Sequence, residues 1–323
     1  MSGFNWDSAT VIDQDDLEEY VYETDSDSVD NLYIKNYCVQ ISPAGFAFNS
    51  LEEFLRNRFV YYVFSEDEIE RLEKQGETPR VKAQEMAGIG KQFRQDGTLG
   101  EFILFLLTDG FLDLPMISHK ISRKQSYSHE VYGCDNLFFG SFNGDECLGI
   151  GEAKVYQNLT RGIRKAVDSI SEFHEEQSHR YLDQELSVAP RGFSENLNDE
   201  QLEYLANVVV ASPDEYPLLH PIFVCYEDEN LSDAENVSLS EEEIEDHIET
   251  RLTNLEPLSK AETQVENGSD RLRRAHLLFL FLPVPDIDQF RKRMLIAIDP
   301  GLRHILDEEN TEPDTDQTEG GTA

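Results

Sequence analysis

The chain has 323 residues, 27 of them Lys or Arg against 65 Asp or Glu, and a formal net charge of −38. That length allows a sizeable core in one large domain or two modest ones, and 39% hydrophobic with 10% aromatic residues excludes an acidic chain disordered throughout. The charge exceeds what solubility asks of a surface. It destabilises a compact state by self-repulsion unless salt screens it, as in a halophilic cytoplasm. Cys38, Cys134, Cys147 and Cys225 stand far apart with no CxxC pair, so they signal neither zinc nor a disulfide framework and are expected as buried thiols. The start, MSGFNWDSATVIDQDDLEE, has no basic n-region or apolar h-region. The longest apolar run, Ala275 to Val284, is about half a membrane span. A cytoplasmic protein without a membrane is expected.

Residues 1 to 31 hold ten acids and no base, so 1–30 reads as a flexible acidic segment with at most a short helix from Asp15 to Glu23. NLYIKNYCVQ from Asn31 reads as a strand. Ser50 is placed to cap a helix from Leu51 to Val63, and SEDEIERLEKQ from Ser65 shows a second capped helix ending at Gly76 and Pro79. Residues 31–95 are expected to form an accessory region. Thr98 opens a helix through LGEFILFLLTDGF, whose apolar character implies deep burial, with Glu101 on its first turn. EVYGCDNLFFGSF (130 to 142) and ECLGIGEAKVY (146 to 156) flank the turn signal Asn143-Gly144-Asp145 and read as an antiparallel hairpin. A helix follows with Leu159, Ile163, Val167, Ile170 and Phe173 on one face. Then come a strand from His220 to Glu227, a helix from Ser240 to Leu255, a strand from Ala275 to Val284 and a helix from Asp286 to Ile298. This order predicts an α/β domain over 96–300 with a mixed central sheet flanked by helices. The tail 307–323 is expected to be disordered.

Chemistry concentrates in the hairpin. Asp135 lies on its first strand, and Glu152 and Lys154, 17 and 19 residues on, lie on its second. Period two puts Glu152 and Lys154 on one face, and pairing across a turn at Gly144 brings Asp135 towards Glu152. Two carboxylates and an ammonium in one small volume suit a hard divalent cation, Mg²⁺ or Mn²⁺, with the Ala153 carbonyl as a further oxygen ligand. The cation would polarise a phosphoryl group while Lys154 orients the attacking water and balances developing charge. No GxxxxGK[ST] run is present, so ATP use is assigned to a partner, and the eight histidines show no HExxH zinc pattern.

The runs LGEFILFLL (99 to 107), SHKISRK (118 to 124), GCDNLFFG (133 to 140) and LGIGEAKVYQNLTRGIRKA (148 to 166) together resemble the HamA-type nuclease subunit of the Hachiman antiphage defence system. The resemblance is strongest over residues 95 to 175. It implies a restriction-endonuclease-like PD-(D/E)xK core, DNA as substrate and a superfamily 2 helicase subunit as partner. Carried over by position, it implies Asp135, Glu152 and Lys154 as catalytic residues. It adds Glu101, on the preceding helix, as a catalytic and metal-site carboxylate beside Asp135, Glu152 and Ala153. Cys134 stands where the motif's proline would be.

Residues 97 to 166 carry seven bases and eight acids, so nearly all of the net charge lies elsewhere. Nucleic acid can approach there without meeting the full acidic field, and Lys120, Lys124, Arg161, Arg164 and Lys165 are the expected phosphate contacts. Arg271, Arg273, Arg274, Arg291, Lys292 and Arg293 form two further basic clusters, read as a partner surface or as ion-paired helix ends. The alternative to a nuclease is a binding module that keeps the fold and holds helicase or nucleic acid without cutting. If the charge marks a halophilic setting, the melting temperature should fall steeply as KCl is diluted from molar to physiological levels, because carboxylate repulsion becomes unscreened. A melting temperature flat across that range would contradict the reading.

Overall fold

The computed structural model describes residues 4–42, 45–87, 97–119, 136–174, 197–210, 217–231, 241–268 and 272–304. The described strands are β1 (Val21–Val29), β2 (Leu32–Val39), β3 (Ile41–Ser42), β4 (Gly45–Phe46), β5 (Met116–His119), β6 (Asn136–Phe142), β7 (Asp145–Tyr156), β8 (Leu218–Glu227) and β9 (His276–Val284). Seven of them form one mixed sheet in the order β1-β2-β9-β8-β7-β6-β5, and β3 pairs with β4 separately. The inner strands β2, β9, β8 and β7 are parallel, while β1 pairs antiparallel with β2 at one edge, and at the other β6 pairs antiparallel with both β7 and β5.

Helices cover both faces, which is why β8 and β9 are apolar nearly throughout instead of alternating. The described helices are α1 (Gln14–Glu18), α2 (Phe48–Val63), α3 (Glu66–Lys74), α4 (Pro79–Ala87), α5 (Thr98–Leu112), α6 (Leu159–His174), α7 (Asp199–Val210), α8 (Glu241–Leu255), α9 (Pro257–Glu266) and α10 (Ile287–Ile298). On one face Leu278, Leu280 and Leu282 of β9 join Phe223 and Cys225 of β8 against α2, α5 and α10. On the other, Leu277, Phe279 and Phe281 join Ile222 and Val224 against α6 and α9. The stripe Leu159, Ile163, Val167 and Ile170 of α6 is buried as its spacing predicts.

Several expectations need correction. The start of the chain is not a free acidic segment over its described part. Trp6 is buried, stacks edge-on against Phe139 at 4.8 Å and donates from Nε1 to Glu146, and Val21–Val29 is an edge strand. Acid-rich β1 forms because its inner residue Val21 is buried while Glu23, Asp25 and Asp27 face water, charges that also discourage edge-to-edge pairing. The described part of 31–95 is built into the same sandwich: β2 pairs with β9, and Arg293 of α10 bonds Glu52 of α2 at 2.6 Å. Ser50 lies inside the first turn of α2, which begins at Phe48 behind Ala47. Ser65 and Glu68 do form the expected reciprocal capping box of α3. Helices α4, α7 and α9 and strand β5 lacked clear signals. Residues 130–135 and the tail 307–323 lie outside the described residues. No helix among the described residues is long and apolar enough to cross a membrane.

One buried carboxylate ties the N-terminal segment down. Asp109 near the end of α5 accepts the backbone N–H groups of Val11 and Ile12 at 2.7 and 2.8 Å. Burial pushes its carboxyl up from 3.8 to about 7, against the lowering effect of those two amides. The folded state therefore holds this proton more tightly than the unfolded chain. The group's stabilising contribution is complete below about 3.8 and is lost as pH rises through about 7. Asp109→Asn keeps an oxygen for both amides and never ionises, so it should gain on wild type across that window, by a few kcal/mol at its upper end. Denaturant midpoints of the two proteins that stay parallel from acid to neutral pH would refute this.

Candidate active site

The hairpin closes on a tight turn with positive φ at both central residues, Asn143 at 52° and Gly144 at 89°, the geometry whose twist matches the flanking strands. From it the ladder runs Phe142↔Asp145 to Asn136↔Gly151. With 12 residues against the 7 of β6, β7 runs on past the last of these pairs. There it pairs only with β8 among the described residues, Glu152 opposite Ile222 and Lys154 opposite Val224.

Alternation along β7 sends Ala153 and Val155 to the α5 face and Glu152 and Lys154 to the α6 face. A Cβ on Gly100 of α5 would stand 3.2 Å from the Ala153 Cβ and 3.1 Å from a Val155 methyl. A Cβ on Gly162 of α6 would stand 2.7 Å from a Val224 methyl. Both helices thus close on this stretch of sheet at glycines.

Lys154 Nζ donates to Glu152 Oε1. The pair is less solvated than an ordinary surface ion pair: the Glu152 side chain is 9% exposed and that of Lys154 23%, whereas the Lys74–Glu70 pair lies at the surface with side chains 74% and 65% exposed. Burial makes the charges costly to desolvate, so such a pair contributes little net stability. Its place on the strand calls for another explanation.

Glu101 is buried on α5, with its carboxylate accepting from the Tyr62 hydroxyl at 3.3 Å and its carbonyl from Asn136 Nδ2 at 3.0 Å. Its helix lies on the face opposite Glu152 and Lys154, so the described residues do not assemble the expected four-membered cluster. Asn136 connects the two sides, since its side chain holds Glu101 and its backbone pairs with Gly151, the residue before Glu152. Nothing in the sequence beyond its place next to Asp135 signals that link. Asp135 itself lies outside the described residues, as do Lys120, Lys124 and Cys134.

Among the described residues no three His, Cys, Asp or Glu side chains come together as a metal site. The donors are nonetheless of the right kind. The Leu148 N–H points to β8, donating to the Pro217 carbonyl, so the odd-numbered residues of β7 turn their carbonyls away from β8. The Val155 carbonyl is taken by Arg291 at 3.0 Å. That of Ala153 points to the same side, past the last described pair with β6. A carboxylate and a carbonyl are hard oxygen ligands suited to Mg²⁺ or Mn²⁺.

Arg161 begins α6 beside the site, over the Tyr156 ring at 5.7 Å, and its N–H bonds Asn158 Oδ1 at 3.0 Å. Arg164 and Lys165 are exposed on the outer side of the helix, and Lys165 lies 3.8 Å from Asp168. In the other basic clusters, Arg291 and Arg293 are tied to Val155, Glu52 and Asn49, which makes them internal struts. Arg271 and the Arg273 side chain lie outside the description, and Arg274 is exposed. Cys38, Cys147 and Cys225 are buried thiols, as expected.

Comparison with curated proteins returns no match. The HamA family model, by contrast, matches residues 14–298. That span takes in the described sheet and the helices on both its faces, so the likeness first visible between residues 95 and 175 extends over most of the molecule. The chain belongs to the HamA family, a component of Hachiman antiphage defence.

Proposed function

We propose that this chain is a metal-dependent nuclease that hydrolyses DNA phosphodiesters, the effector of a two-component defence system whose other member is a superfamily 2 helicase. The observation that carries the reading is the pair of buried Glu152 and half-buried Lys154 on a strand packed by helices on both faces. A module that only binds has no use for a charge pair that is costly to bury, whereas phosphoryl transfer uses both signs of charge in a fixed place. The family membership supports the defence role, and the mixed sheet between two helical layers is compatible with a PD-(D/E)xK core.

In this reading Glu152, the Ala153 carbonyl and Asp135 hold Mg²⁺ or Mn²⁺, which when bound polarises the phosphoryl group and lowers the pKa of water. Asp135 is bonded to Asn136, whose ladder partner Gly151 is bonded to Glu152. In this reading Glu101 acts from the other face of the sheet, its carboxylate held by Tyr62 and its carbonyl by Asn136 beside the stretch where β7 outruns β6. Lys154 leaves Glu152 when substrate enters, orients the attacking water and offsets charge on the scissile phosphate. Arg161, Arg164 and Lys165, with Lys120 and Lys124, contact the flanking backbone, each phosphate contact adding to the salt dependence of binding.

Glu152→Gln or Lys154→Ala should each lower plasmid cleavage in Mg²⁺ by about 10²- to 10³-fold with the far-UV CD spectrum unchanged. Cleavage near wild type in either variant would refute the assignment. EDTA should abolish cleavage and added Mg²⁺ or Mn²⁺ restore it.

Control belongs to the helicase, because the chain has no phosphate-binding loop of its own. Expression with and without that partner should give different nuclease activities and a co-purifying complex. Equal activity with no complex would remove the control model and leave the active-site reading standing.

A further inference from the structure

Pro221 sits within β8, an inner strand with β7 on one side and β9 on the other. A proline there removes a ladder bond, and the residue is normally confined to edges and bulges. The β7–β8 pairing shows the gap: Leu148↔Leu218 and Gly149↔Leu219 are followed next by Glu152↔Ile222. With the Leu148 N–H donating to the Pro217 carbonyl at 3.2 Å, the parallel pattern calls on the N–H of residue 221 to serve the Ile150 carbonyl. Proline has none to give.

His220 supplies the missing donor. Its Nδ1 lies 3.2 Å from the Ile150 carbonyl, and because a carbonyl only accepts, Nδ1 carries the proton. Burial, with His174 beside it, drives the imidazole down to about 3, so the ring is neutral and Nε2 is bare. That nitrogen lies 2.8 Å from Nε2 of His174, which must therefore donate. His174 is the last residue of α6. The chain of bonds runs from the end of α6 through two buried imidazoles to the backbone of β7. It arrives two residues before Glu152 on the same face, about 7 Å along the strand.

We propose that His220 is a positioning residue for Glu152: its Nδ1–H replaces the ladder bond lost at Pro221, and His174 holds the ring in place, so that the Ile150–Glu152 stretch is fixed against β8 and α6. The proposal rests on the nuclease reading for its functional consequence, but its structural core can be measured separately.

Two substitutions of similar polarity separate the ring's nitrogens. His220→Asn places an amide N–H where Nδ1 stands, whereas His220→Gln reaches only where Nε2 stands. His220→Gln should lower kcat for DNA cleavage by up to about 10²-fold, as small misplacements of catalytic groups do, with little change in KM. Backbone hydrogen exchange at 150–154 should accelerate in parallel. His220→Asn should stay near wild type in both measurements. Pro221→Ala, which returns a backbone N–H, should rescue His220→Gln in both. If the wild-type protein cuts no DNA, the nuclease reading falls, while the exchange pattern still decides the positioning role. If His220→Gln folds poorly, restored folding on adding Pro221→Ala supports the proposal. Asn and Gln variants that behave alike, or a Pro221→Ala change that rescues nothing, would overturn it.

Discussion

Strand β7 has to carry a carboxylate and an ammonium through the middle of a three-layer sandwich, and it is held there by close approach of a helix on each side. Gly100 lets α5 settle on Ala153 and Val155, and Gly162 lets α6 settle on Val224 beside Lys154. A methyl group added at Gly162 would force a shift at 2.7 Å from Val224, and one at Gly100 would ask Val155 and Ala153 to give by a few tenths of an ångström, because interiors pack as tightly as crystals. The strand bearing the charges is therefore closely packed on both faces, as preorganisation of the proposed pair would require.

Three other buried polar groups of the sandwich bond partners remote in sequence. Asp109 takes the amides of Val11 and Ile12, Asp228 takes Arg251 at 2.8 Å, and His220 takes Ile150 and His174. Those links tie distant segments together and answer the requirement that buried polar groups find partners. Glu152 and Lys154 differ because they are two residues apart on one strand. The bond between them joins no distant segments, a contrast that is consistent with the chemical role proposed for the pair.

The acidic surplus lies on the outside. Solvent-facing acids line β1, and exposed pairs such as Lys74–Glu70 and Lys82–Glu77 offset only a small part of it, since water and salt screen such pairs. The bases near the site are arranged otherwise: Arg161 stands over Tyr156 at the head of α6, and Arg164 and Lys165 face outward from the same helix. Against so negative a surround, a locally balanced patch is the approach that costs a polyanion least.

Features that depend on neighbours in sequence were legible without the structure. The Asn143-Gly144 turn, the capping box at Ser65, the stripe of α6 and the apolar strands β8 and β9 follow from local conformational preference and periodicity, and so does the placing of Glu152 and Lys154 on one face. Features that depend on distant partners were not. The acid-rich start reads as solvated until Trp6 meets Phe139 and the amides of Val11 and Ile12 meet Asp109. Glu101 is marked in the sequence by the resemblance alone, and its partners Tyr62 and Asn136 show only in the structure. The sequence by itself determined the identity and spacing of the charged pair and the strand that presents it, because those are set by bonds along the chain. Only the tertiary structure decided which face that strand turns to which helix, how deeply the pair is buried, and which remote groups hold it still, because those are set by packing between segments whose order in the chain says nothing of their meeting.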